Sequence, residues 1–196
     1  MSASNGAAPS PSPFFRLEGG VGALAAGILL ILGHLSNLAG PAGVGTVTGK
    51  SLVMAGQAVM VLGLVGIYAK QQKAGGILGW VGTILAVLGT VAVSAVVFVE
   101  IARASGVPVE MVFQAPAAHE IFAAGPVVFA VGMFLLGASM VKALVFPVYT
   151  GVLLIVGTIV LGIGTLAGPV GPYLLLLGAV LTGSALILAG AKILAP

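Results

Sequence analysis

The chain contains no cysteine and no aspartate. The first absence removes disulfides, thiolate metal sites and a cysteine nucleophile. The second removes any Ser-His-Asp triad and the usual Asp-based phosphoryl chemistry. Charge of either sign is scarce: seven Lys and Arg and four Glu in 196 residues, or 6%. A soluble domain carries about 25% charged residues, so this chain cannot cover a water-facing surface. The GxSxG, HExxH and Walker patterns are missing as well, which leaves no signature of a hydrolase, a zincin or a nucleotide-binding loop. A net charge of +3 built from seven cations is far from a nucleic-acid footprint.

What is present is mostly hydrocarbon. Hydrophobic residues make up 60% of the chain, and the mean hydropathy is +1.27. A transmembrane barrel would alternate polar and apolar residues, whereas runs such as GILLILG and AVSAVVFV are unbroken. The pattern predicts an all-α, polytopic integral membrane protein with six transmembrane helices. The spans fall at about 17–38, 51–69, 76–100, 121–141, 148–167 and 173–191, given roughly 20 residues per crossing. Residues 1–15, rich in Ser and Pro, read as a flexible N-terminal tail with no secretory signal, and 16–196 as one six-helix domain. The breaks lie at 40–49, at 70–76, across 101–120 with Pro108 and Pro116, at Phe146-Pro147 and at 168–172. Pro126 falls inside the fourth span, where it is expected to kink the helix.

Orientation follows from the cations. With the N-terminus inside, the inner ends collect Arg16, Lys70, Lys73, Lys142 and Lys192, and the outer ends only Lys50 and Arg103. Both termini are therefore expected in the cytoplasm of a bacterial inner membrane. The basic balance suits anionic lipid head groups.

Glycine is abundant, at 31 residues. In lipid, small residues let helix backbones approach closely. Gly75, Gly79, Gly82, Ala86 and Gly89 recur at 4-3-4-3 spacing and predict a packing seam, one that could alternatively admit the flat ring of a haem or chlorin. An internal repeat is also visible. Val81-Gly-Thr-Ile84 with Gly89-Thr90 recurs 75 residues later as Val156-Gly-Thr-Ile159 with Gly164-Thr165. It suggests a parallel repeat of the hairpins 51–100 and 121–167.

The few polar groups gather, on this topology, at the outer face: His34, Asn37, Gln57, Glu100, Arg103, His119, Glu120 and Tyr173. Glu100 and Arg103, at i and i+3, predict a helix-surface ion pair. Glu120 suits a helix N-terminus, and Glu110 reads as a solvated loop residue. His34 needs a partner, for which Asn37 is the nearest candidate, and Gln57 reads as interhelical glue. The functional alternative makes His34 and His119 axial ligands of a b-type haem, or one of them a chlorin ligand. His34, Glu100, His119 and Glu120 also have the donor types of a Zn, Fe or Mn site. Glu100 and His119 could instead serve a proton or quinone site.

These features predict a non-catalytic subunit packed within a larger membrane assembly, redox or photosynthetic in class, with other membrane subunits or further copies of itself as partners. It would contact a haem, chlorin or quinone near the outer face. A small-solute or ion transporter or channel is the first alternative, and an intramembrane metal-dependent enzyme the second.

Overall fold

The computed structural model describes the chain from Pro13 to Ala195, with side chains from Arg16 onward. The proposed tail lies outside the described residues except at its end, where Pro13 already begins a helix. Among the described residues the regular structure is helical, with no strand. The helices are α1 (Pro13–Asn37), α2 (Val47–Ala104), α3 (Glu110–Gln114), α4 (Pro116–Ala143), α5 (Val148–Leu166) and α6 (Gly171–Leu194). A single 3-10 turn, Gly168–Val170, precedes α6. All but α3 are long and apolar enough to cross a bilayer, five such helices in all, and the chain is a membrane protein.

The short connection from α1 to α2 is tied by side chains. Thr46 caps α2, its hydroxyl accepting from the Gly49 amide at 2.9 Å. Such a cap satisfies one of the otherwise orphaned amides of the first turn. Asn37 in turn accepts from the Thr46 amide at 3.0 Å, and Ser36 lies 3.2 Å from the Thr46 hydroxyl.

At 58 residues, α2 is long for one crossing. Its helical backbone fails at one residue, Gly76, with φ 55° and ψ −153°. Two contacts show what that residue does. Lys50 Nζ lies 2.7 Å from Glu100 Oε2, and Ser94 donates to Gln57 Oε1 at 3.0 Å. On an unbroken helix Lys50 and Glu100 would be about 75 Å apart. The chain therefore reverses at Gly76, and α2 is a hairpin of two antiparallel arms, 47–75 and 77–104. The loop expected over 70–76 shrinks to this one glycine, because helix continues through Lys70, Gln71, Gln72 and Lys73. The long connection expected over 101–120 also contracts: helix runs to Ala104 and resumes at Pro116 around the five-residue α3. The α4 helix continues through Pro126 without a non-helical residue.

The elements close into a ring in which α1 packs on α2, α2 on α4, α4 on α5, α5 on α6 and α6 on α1. Glycine sets the distance at each seam. A methyl group on Gly82 would come within 2.6 Å of the Leu136 amide nitrogen, and one on Gly63 within 2.7 Å of Ala23 Cα. The face carrying Gly75, Gly79, Gly82, Ala86 and Gly89 is covered by α4, from Ser139 down to Phe129. The ring's interior is filled by Met60, Leu64, Ile67, Met133, Leu136, Met140, Leu154 and Leu186, all buried in one continuous cluster. Thr83, Thr90 and Thr158 turn their hydroxyls back onto the carbonyl four residues earlier, at 2.7 Å each. That bond makes a hydroxyl tolerable inside an apolar helix.

The seams repeat. Gly82, Ala86 and Gly89 meet Leu136, Gly132 and Phe129, while Gly157, Leu161 and Gly164 meet Thr182, Gly178 and Leu175. The first helix of each pair is shifted by 75 residues and the second by 46, the same shift at all three contacts. These contacts join each Val-Gly-Thr-Ile helix to the helix that follows it.

Candidate functional site

Antiparallel packing brings the end of α1, both outer ends of α2 and the start of α4 and α6 to one end of the bundle. His34, Asn37, Lys50, Glu100, Arg103, His119, Glu120 and Tyr173 all belong to that end by position. They do not converge on one point.

The centre of what does assemble is the Lys50–Glu100 pair. It joins the first turn of α2 to its last turns, and the two side chains are 16% and 30% exposed. Lys50 also lies within electrostatic reach of the half-buried His34 on α1. Deeper between the same arms, the buried Gln57 takes the Ser94 hydroxyl, which also reaches the Thr90 carbonyl at 2.8 Å. At the opposite end Gln71 Nε2 donates to Ser139 Oγ at 3.0 Å, and that hydroxyl points back to the Gly75 carbonyl. A ladder of polar pairs thus runs along the α2 hairpin: Lys50–Glu100 and Gln57–Ser94 between its arms, and Gln71–Ser139 from it to α4. Among the described residues, three buried side-chain atoms have no partner: Gln71 Oε1, Thr150 Oγ1 and Thr182 Oγ1.

Two expected pairings are replaced. Glu100 does not pair with Arg103 at i+3. Lys50 takes Glu100, and Arg103 instead lies 3.8 Å from Glu110. Across the hairpin the Lys50 ammonium reaches Glu100 in a partly desolvated setting, where attraction exceeds that at an exposed helix face. Glu110 is accordingly not a free loop residue: it opens α3 and accepts from the Val109 amide at 3.1 Å. Nor does Asn37 serve His34: no hydrogen bond joins them among the described residues, and the Asn37 carbonyl oxygen accepts from the Thr46 amide. Gln57 does bridge helical segments, as its burial requires.

The outlying residues stand apart. His119, Glu120, Arg103 and Tyr173 are all exposed. His119 rides on α4, which packs on α2 and α5, whereas His34 rides on α1, which packs on α2 and α6. No group of three or more potential ligands among His, Cys, Asp and Glu forms among the described residues. A shallow crevice between α4 and α5, lined by Ala130, Val131, Phe134, Thr158 and Ile159, holds no charged group.

No family model matches the chain, and neither a curated protein nor a solved structure is similar to it. The site must be read from its own chemistry. The sequence places Lys50 at the same end as Arg103 but does not show its pairing with Glu100, because the two stand 50 residues apart. The signal that could have found it is charge balance: each of the two cations at that end takes one of the glutamates there.

From Glu110 to Ala124 every residue except Phe113 and Ala118 is exposed. This stretch combines α3 with the first turns of α4 and stands clear of the ring. It shows solvent Met111, Val112, Ile121 and Phe122, at 84, 44, 45 and 45% exposure. Phe113 and Phe122 meet within it, their ring centroids 5.0 Å apart and their planes tilted by 59°.

Proposed function

We propose that the chain is a non-catalytic integral membrane subunit that crosses the bilayer six times, with both termini on the cytoplasmic side, and packs within a larger assembly. The observation that carries this reading is the projection formed by residues 110–124. An exposed apolar element rimmed by Arg103, Glu110, His119 and Glu120 has the make-up of a contact surface for another subunit.

Six crossings are supported by the reversal at Gly76, since each arm of α2 is about 42 Å long, enough for a ~30 Å hydrocarbon core. The cytoplasmic placement of the termini is supported by the cations. Arg16, Lys70, Lys73, Lys142 and Lys192 share one end, while both cations at the other end face glutamates. A redox or photosynthetic assembly in a bacterial inner membrane remains the proposed setting. A haem or chlorin held jointly by His34 and His119 draws no support from the geometry, because their helices are not neighbours. The seam glycines are occupied by α4, which leaves them no room for a macrocycle. A quinone or pigment would more readily belong to a partner. The repeated seams join 77–104 to α4 and α5 to α6, a different pairing from the hairpins 51–100 and 121–167, and support a recurring mode of helix packing.

The test is purification from the native membrane in mild detergent, followed by an absorption spectrum. Co-purifying subunits with a visible band are expected, and removing the side chains of Met111 and Phe122 should release them. A colourless monomer would overturn the reading.

The polar ladder along the α2 hairpin favours a second reading, a small-solute or ion transporter, because intramembrane polar groups commonly mark a pathway. Its members hydrogen-bond in pairs, which also suits interhelical glue, while Gln71 Oε1 is left without a partner. Proteoliposome flux that disappears in Glu100→Gln would establish the transporter. A metal-dependent enzyme is left without a ligand set among the described residues.

A further inference from the structure

Three helices meet at the end of the bundle opposite the polar ladder's ion pair, and they bring three cations with them. Gly19 of α1 abuts Gly66 of α2, a methyl on either coming within 2.5 Å of the other's Cα. Gly20 likewise abuts Leu194 of α6, at 2.5 Å from its Cγ. Arg16 lies one turn before Gly19, Lys70 one turn after Gly66, and Lys192 two residues before Leu194. Arg16 Nη2 donates to the Ala195 carbonyl at 2.6 Å, so the guanidinium reaches across the end of α6. Lys70 lies within electrostatic reach of both Arg16 and Lys192.

Among the described residues, no carboxylate stands within ion-pair distance of any of the three, and the two ion pairs formed are both at the other end. Glu18 is two residues from Arg16 on α1, a spacing that turns it to another face. Three like charges gathered from separate helices repel one another, and an anion placed among them converts that repulsion into attraction. Exposed apolar side chains lie along α1 and α2 near this end: Leu17 and Val21, one turn apart on α1, and Leu62 of α2 beside Gly22, at 56, 48 and 49% exposure.

We propose that Arg16, Lys70 and Lys192 bind the phosphate head group of one anionic phospholipid, whose acyl chains lie along Leu17, Val21 and Leu62. A cluster of cations at adjoining helix ends suits that ligand. Arg16 contributes directional N–H donors and the lysines point charge. The adjoining apolar stripe selects a lipid over a free anion, since a soluble phosphate gains nothing from Leu17 or Leu62.

The experiment uses the full chain in detergent, titrated with phosphatidylglycerol, phosphatidylcholine or inorganic phosphate, and followed by native mass spectrometry and thermal unfolding. Phosphatidylglycerol should bind and raise the unfolding midpoint, and the other two should not. The triple variant Arg16→Gln, Lys70→Gln, Lys192→Gln should bind it about 100-fold more weakly. The control pair Lys73→Gln, Lys142→Gln removes charge from the same end outside the corner and should bind as the parent does. Equal loss in both variants would show a diffuse surface effect and overturn the site. Equal stabilisation by inorganic phosphate would overturn the lipid as its occupant. Should the triple variant fail to fold, Lys192→Gln alone, at an exposed position, should weaken binding about fivefold, and unchanged binding there would overturn the proposal.

Discussion

Lys50 and Glu100 stand 2.7 Å apart at the two ends of what is, by backbone geometry, a single helical stretch interrupted only at Gly76. The pair closes the open end of the α2 hairpin. Its two members are only partly exposed, so each is stabilised by the other more than by solvent. Glu100→Gln leaves the Lys50 ammonium without its counter-charge and should lower stability by about 1–3 kcal/mol. Lys50→Met combined with Glu100→Gln should recover part of that loss. Thermal unfolding of the two single variants and the double variant in detergent gives the coupling energy. Additive losses would show that the two side chains do not interact.

The reversal itself depends on backbone conformation. Gly76 has φ 55° and ψ −153°, a region essentially closed to other residues, while the space around it is open. Gly76→Ala should therefore cost about 1–3 kcal/mol through strain alone. Leu144, the exposed C-cap of α4, has φ 55° and ψ 19° without being glycine. Leu144→Gly should raise stability by about 1 kcal/mol. Opposite shifts in unfolding midpoint are expected, and a shift of the same sign for both would contradict the backbone account.

Two glycines on different helices test the seams. Gly82 is wedged against the Leu136 backbone, whereas Gly162 has no neighbour within 4 Å of where a Cβ would sit. Gly82→Leu must push α4 away and should destabilise the fold by more than about 3 kcal/mol. Gly162→Leu places its side chain in lipid and should be tolerated. Glu110→Gln, at an exposed position, should also fall far below Gly82→Leu. Equal melting behaviour for Gly82→Leu and Gly162→Leu would mean that the seam is not close-packed.

Much of the helical plan was legible in the residues. Apolar runs announce spanning helices because burial in lipid depends on local composition. Small-residue spacing at 75–89 marks a packing face for the same reason. The pairing of charges was not legible in the same way. Arg103 is the nearest cation in sequence to Glu100, yet α2 folds back to offer Lys50, and Arg103 turns to Glu110. His34 and His119 share a level by topology, but ring order separates their helices. The projecting stretch at 110–124 was invisible because its residues are as apolar as those of the spans.

The sequence by itself determined that the chain lives in lipid, which segments are helical and which chemistries are missing. Those properties depend on counts and short spacings. The tertiary structure decided which helix lies beside which, and so which of the few polar groups meet. That choice rests on glycine-to-backbone contacts between residues far apart in the chain, and on one reversal at Gly76. A pattern of nearest neighbours along the chain carries no information about either.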